Sequence, residues 1–136
     1  MIGLLIITHC RLAQELLEAA EFILGSIEAV DVVSIDTSKD SDTLRDLIEV
    51  KIQSLDSGKG VLVLTDMFGG TPSNLALSFL QQDAVEVVTG VNLPMVIAVA
   101  QNRETQSLAQ IADLAKNAGY RSISLASELL KPTEEK

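Results

Sequence analysis

The chain reads as an α/β domain built on a doubly wound parallel sheet, for which the expected strand order is 2-1-3-4, and three observations lead to the class. Ile2 to Ile7 and Val61 to Leu64 are short apolar runs, the pattern of strands covered on both faces. Stretches of helical periodicity separate such runs, and strands alternating with helices imply parallel pairing through right-handed crossovers. Finally, 136 residues of which 47% are hydrophobic suffice for one core without staples.

The first strand runs from Ile2 to Ile7 and ends at Thr8-His9-Cys10. Leu12, Leu16, Ala19, Ala20, Ile23 and Leu24 then recur at helical spacing, with Glu15, Glu18 and Glu21 on other faces. This is a crossover helix, and Gly25 is placed to end it. Val30 to Ile35 is a second strand. Ser41 or Asp42 can cap the helix whose buried stripe is Leu44, Leu47, Ile48, Ile52 and Leu55. Asp56 to Gly60 turns the chain into the third strand, Val61 to Leu64.

Asp66 follows that strand, then Gly69 and Gly70, with Thr71 as N-cap and Pro72 as first residue of a helix reaching about Gln81. Val85 to Thr89 is a fourth strand. After the loop Gly90 to Pro94, the apolar segment Met95 to Ala100 fits helix or strand equally well on pattern alone. Thr105 to Asn117 is helical, with Gly119 placed to end it, and Arg121 to Ala126 alternates as a half-exposed strand. Residues 1–130 thus form one domain, and residues 131–136 a charged tail.

No apolar run reaches the roughly 18 residues that span a bilayer, and the start lacks the pattern of a signal peptide, so the expected location is the cytoplasm. A lone cysteine, Cys10, fits a reducing compartment. The net charge of −9 and the scarcity of aromatics argue against binding nucleic acid or anionic lipid. No metal or cofactor motif stands out. Gly58-Lys59-Gly60 lacks the surroundings of a Walker A loop.

In an open sheet of this order the functional crevice lies beyond the carboxyl ends of strands one and three. Those strands end in His9, the only histidine, and in Asp66. A histidine after a strand is usually a plain surface residue, and Asp66 alone a plain loop acid. Their convergence in one crevice changes the reading. A neutral imidazole is a nucleophile toward phosphorus, and a carboxylate accepting its other N–H fixes the tautomer. The first amides of the helix after Gly70 point back toward Asp66, so a carboxylate stands beside a small anion-binding nest. Cys10 is disfavoured as a partner nucleophile, because adjacent residues at a strand end point in different directions.

Three separated motifs, Thr8-His9, the central TDMFGGTPSN and Gly90 to Met95 (GVNLPM), make the chain resemble the enzyme IIA domain of the mannose family of the bacterial phosphoenolpyruvate-dependent sugar phosphotransferase system. The resemblance covers almost the whole chain. It implies a flavodoxin-like fold in which His9 accepts a phosphoryl group from the histidine-containing phosphocarrier protein and passes it to an enzyme IIB component. In this reading Asp66 orients the imidazole, while Thr71 and the loop around Phe68, Gly69, Gly70 and Ser73 receive phosphoryl oxygens. Met95 to Ala100 is then helical, and Arg121 to Leu125 is a strand exchanged in a homodimer. Membrane permease components are engaged only indirectly. Some members carry glycine at Cys10, tryptophan at Phe68 and serine at Thr71, and many continue into a IIB domain.

Two other classes stay open. A signalling receiver also carries an aspartate after strand three, but it needs an acidic pair after strand one, where this chain has Thr8-His9. A hydrolase with Asp66 as nucleophile lacks its second carboxylate, since Phe68 stands two residues on. A regulatory phosphotransferase component without transport is a variant of the first reading.

Overall fold

Four parallel strands in the order β2-β1-β3-β4 form the sheet of the computed structural model, which describes residues 1–132. They are β1 (Gly3–His9), β2 (Val30–Ile35), β3 (Val61–Thr65) and β4 (Val85–Thr89). The helices are α1 (Leu12–Leu24), α2 (Ser41–Leu55), α3 (Thr71–Leu77), α4 (Leu93–Asn102), α5 (Leu108–Arg121) and α6 (Ala126–Leu129). The doubly wound α/β class and the strand order are those the sequence predicts.

Alternate residues of the central strands feed two cores, as the two-residue period of a strand requires. Leu4, Ile6, Leu62 and Leu64 pack with Ala13 and Ala20 of α1, Val96 and Val99 of α4, and Ile111 and Ala115 of α5. Leu5, Ile7, Val61 and Val63 pack on the opposite face with Leu44, Ile48 and Ile52 of α2, and Leu75 and Ala76 of α3. Consequently α1 and α3, which leave the neighbouring strands β1 and β3, lie on opposite faces. The crevice opens between the carboxyl ends of those two strands.

Several boundaries differ from the sequence reading for local reasons. Asp40, not Ser41 or Asp42, caps α2, its side chain accepting from the Thr43 N–H at 2.8 Å. Helix α3 stops at Leu77 rather than Gln81, because Ser78, Phe79 and Leu80 bond back three residues and tighten the chain into turns. Met95 to Ala100 is helical within α4, whose cap is Asn92, accepting from the Met95 N–H at 3.0 Å.

Gly119 does not end α5 but lies inside it. A Cβ there would come within 2.6 Å of Met95 Cε, so the missing side chain lets α4 and α5 approach. Its carbonyl accepts from Asn92 Nδ2 at 3.1 Å, and Val91 N–H donates to Thr65 O at 2.9 Å. Through these bonds the GVNLP stretch fastens the α4–α5 pair to the end of β3.

The strand expected over Arg121 to Ala126 is absent from the described residues. Arg121 is the last residue of α5, residues 122–125 pair with no strand, and Ala126–Leu129 is the short helix α6. A strand exists only by pairing, and among the described residues of one chain this segment finds no partner. Of the expected charged tail, residues 133–136 lie outside the described residues.

Candidate active site

His9 ends β1 and Asp66 follows β3, so the two stand side by side although 57 positions apart. Asp66 Oδ2 lies 2.8 Å from His9 Nδ1 and also accepts the backbone N–H of His9 at 2.9 Å. Oδ1 accepts the N–H of Met67 at 3.0 Å. Burial by itself raises the Asp66 carboxyl, but the hydrogen bonds from His9 and Met67 and the imidazole charge outweigh it and hold the pKa below the ordinary 3.8. Asp66 is therefore ionised at neutral pH and can only accept. The proton in the contact belongs to Nδ1, so in the neutral imidazole the lone pair is on Nε2.

The imidazole is 46% exposed, whereas the carboxylate is 12% exposed. An exposed, oriented nucleophile beside a sheltered acid suits a reaction with a large partner. Met67 and Phe68, both largely exposed, add apolar surface on the loop after β3, and Leu12 adds more at the start of α1.

Nε2 lies against the start of α3. A Cβ on Gly70 would sit 2.9 Å from His9 Cε1 and 3.4 Å from Nε2, so the ring occupies the space a side chain would need. Gly70 is also the N-cap, extended at φ −82°, and its carbonyl accepts the Asn74 N–H at 3.0 Å. Thr71 is thus the first helical residue rather than the cap, and Pro72 the second. With glycine as cap, no side chain satisfies the first amides of the helix. Pro72 has no N–H and Ser73 is fully buried, so among the described residues it is the Thr71 N–H that is left to a ligand or to water.

The remaining loop residues divide by role. Gly69 adopts φ +88°, which glycine alone takes without strain, and donates its N–H to Ser73 Oγ at 2.9 Å. Ser73 is buried, and its hydroxyl also donates to Gly70 O at 3.3 Å, so this side chain braces the loop. Thr71 and Phe68 are exposed at the crevice. Cys10 is exposed and left-handed at φ 50°, and among the described residues no hydrogen bond joins its thiol to His9. Sequence reasoning missed the bracing roles of Ser73 and Asn92, since a hydroxyl or amide looks the same whether it faces a ligand or the backbone.

Gly70→Ala tests the close approach. The added methyl must displace the ring or the loop, so the nitrogen-15 signals of the His9 imidazole are expected to shift with little loss of fold. Gly69→Ala meets no neighbour and should act only through backbone strain, costing about 1 kcal/mol of stability. Unchanged imidazole signals in Gly70→Ala would show that the approach does not matter.

Among the described residues no cluster of three or more metal-ligating side chains occurs, and no helix is long and apolar enough to cross a membrane. Residues 3–116 match the protein family described as "PTS system fructose IIA component" (EIIA-man). The chain is 32% identical over 136 residues to the PTS system mannose-specific EIIAB component of Escherichia coli strain K12, which aligns with 98% of this chain. It spans only 42% of that longer protein. It is 30% identical over 132 residues to the PTS system fructose-specific EIIA component of Bacillus subtilis, with 96% of this chain and 90% of that protein covered. The crystal structure of the phosphotransferase system component EIIA from Streptococcus agalactiae superposes with a TM-score of 0.84 at 26% identity, covering 94% of this chain and 99% of that one. The motifs around His9 and Asp66, the 2-1-3-4 sheet and these similarities agree, and the chain belongs to the mannose-type enzyme IIA family of sugar phosphotransferase-system components.

Proposed function

We propose that this chain is a phosphoryl carrier in which His9 Nε2 takes a phosphoryl group from the histidine-containing phosphocarrier protein and passes it to an enzyme IIB component, in support of sugar uptake and phosphorylation. The observation that carries this reading is the 2.8 Å contact of His9 Nδ1 with the ionised Asp66, which puts the lone pair of the neutral imidazole on Nε2, beside the start of α3. The Nε2 lone pair forms the new N–P bond as the donor's N–P bond breaks, and the donor imidazole keeps the electron pair. Positive charge then builds on the His9 ring, and Asp66 stabilises it through Nδ1–H. Thr71 and the amides of Phe68 and Gly70 receive the phosphoryl oxygens, whereas Gly69 and Ser73 shape the loop, because the Gly69 N–H is bound to Ser73 Oγ and Ser73 is fully buried.

The reaction needs no metal or cofactor, and its place is the cytoplasm, where both protein partners meet the carrier. The solute is chosen by membrane permease components reached only through the IIB protein. Incubation with phosphoenolpyruvate and the upstream phosphotransferase components, followed by mass spectrometry, is expected to locate an acid-labile adduct on His9. An adduct on Asp66 would favour a receiver or a hydrolase instead.

The proposal extends to assembly. Tyr120, Ile123, Leu125, Leu129 and Leu130 are all more than 60% exposed, an apolar run without cover in one chain. The edge of β4 is also open, beside a cavity of about 230 Å³ lined in part by Val88, Thr89, Tyr120 and Ile123. Exchange of residues 121–125 with a second copy pairs the edge and covers the apolar run, which makes the chain a homodimer. Sedimentation should give a dimer at micromolar concentration, and deletion from Arg121 onward should give aggregation or a destabilised monomer. An intact chain that sediments as a monomer would remove the exchange.

A further inference from the structure

The turn that carries His9 is held by one buried hydroxyl. Thr8 is fully buried at the end of β1, where valine would pack as well and fits the strand's apolar pattern better. Its Oγ1 accepts the Ala13 N–H at 2.7 Å and donates to the His9 carbonyl at 3.1 Å. Helix α1 has no other side-chain cap, because Arg11 makes none. The peptide joining His9 to Cys10 is thereby fixed at both ends, since its N–H donates to the Ile35 carbonyl at 2.8 Å. The peptide before His9 is fixed as well, through its N–H on Asp66 Oδ2 at 2.9 Å.

We propose that Thr8 is a positioning residue for phosphoryl transfer: its hydroxyl sets the plane of the His9–Cys10 peptide and so the direction from which the imidazole meets Asp66 and Gly70. The left-handed Cys10 follows from the same constraint, because its φ of 50° is the conformation that lets the clamped peptide enter α1. Without the hydroxyl, the His9 carbonyl and the Ala13 N–H lose a buried partner, and the turn is free to choose another peptide orientation. The ring then loses its fixed approach to Asp66, although every residue in contact with the phosphoryl group is unchanged.

This inference rests on His9 as the acceptor, so its test has two independent readouts. Nitrogen-15 NMR of the resting imidazole needs no partner protein, and single-turnover transfer from the phosphorylated carrier reports the chemistry. In Thr8→Val, which conserves shape, the helical content and cooperative melting are expected to persist while the imidazole signals move toward mixed tautomers. Transfer should fall by about 10-fold or more. Thr8→Ser, which keeps the hydroxyl, should restore both readouts to within about two-fold of wild type. Unchanged imidazole signals and transfer in Thr8→Val, or a loss that Thr8→Ser does not repair, would overturn the proposal. Should Thr8→Val fail to fold, Thr8→Cys offers a similar size with only a weak donor and is judged by the same two outcomes. If wild-type protein takes no phosphoryl group on His9, the functional reading fails, while the imidazole signals still decide the role of Thr8.

Discussion

His9→Ala is expected to abolish phosphoryl acceptance while leaving the fold intact. The substitution removes the only imidazole in the chain, and no neighbouring group can replace its lone pair at Nε2. Asp66 is held by backbone amides on both oxygens, and Cys10 sits in a turn with no hydrogen bond to the site among the described residues. Stability changes little because the ring is 46% exposed and the β1 core, Leu4 to Ile7, is fully buried without it. The backbone N–H of His9 keeps its bond to Asp66 in the variant, so the loss is one side-chain hydrogen bond and some ring contact, about 1 kcal/mol. Uptake of label from the phosphorylated carrier checks the first half of the expectation and thermal melting the second. A variant that still accepts label at the wild-type rate would remove His9 from the mechanism.

Asp66→Asn is the second large effect, because it keeps the shape of the side chain while changing what its oxygens can do. The carboxylate accepts two bonds from His9 through one oxygen and a third, from Met67, through the other. An asparagine can satisfy one of these positions with its carbonyl, but it must turn an NH₂ group toward the other. If the NH₂ meets Nδ1, the proton moves to Nε2 and the nucleophilic lone pair is lost. If it meets the Met67 N–H instead, two donors face each other.

In both cases the negative charge that stabilises the forming imidazolium is gone. Removing a carboxylate also lessens repulsion of the incoming phosphoryl group, which favours binding of the donor. The orientation and charge effects act in the transition state and dominate, so transfer is expected to slow by roughly 10²-fold, about 3 kcal/mol of barrier. Single-turnover transfer measures the rate, and nitrogen-15 NMR reports the tautomer. Wild-type rates in Asp66→Asn, or a phosphoryl group on Nδ1 in the native protein, would refute this role.

The same carboxylate makes a pH prediction. Its folded pKa is lowered below 3.8, so its stabilising contribution is complete above that value and is lost as pH falls through the folded pKa. Wild-type protein should therefore lose more melting temperature than Asp66→Asn between about pH 5 and about pH 2.

Much of the site is legible in the chain because the proposed chemistry rests on its only histidine and on an acid, each at a strand end. A lone histidine after one buried strand and an acid after another need only the 2-1-3-4 order to be brought together. Gly70 shows the limit of that legibility. As a sequence letter it reads as a turn glycine or a loop amide, whereas its function is to leave room for the ring of a residue 61 positions earlier. Ser73 is similar, its hydroxyl turned inward to Gly69 and Gly70 rather than outward to a ligand.

The sequence by itself determined the alternation of buried strands and amphipathic helices, the crevice between β1 and β3, and the identity of the two groups that meet there. Apolar periodicity and turn chemistry are local properties, and local properties survive in the order of residues. Only the tertiary structure decided which glycines are present for contact rather than for conformation, as at Gly70 and Gly119, and where α3 and α5 end. Only it decided, too, that residues 122–125 pair with no strand among the described residues. These outcomes depend on distances between segments remote in sequence, and a pairing strand depends on an edge that its own sequence does not contain.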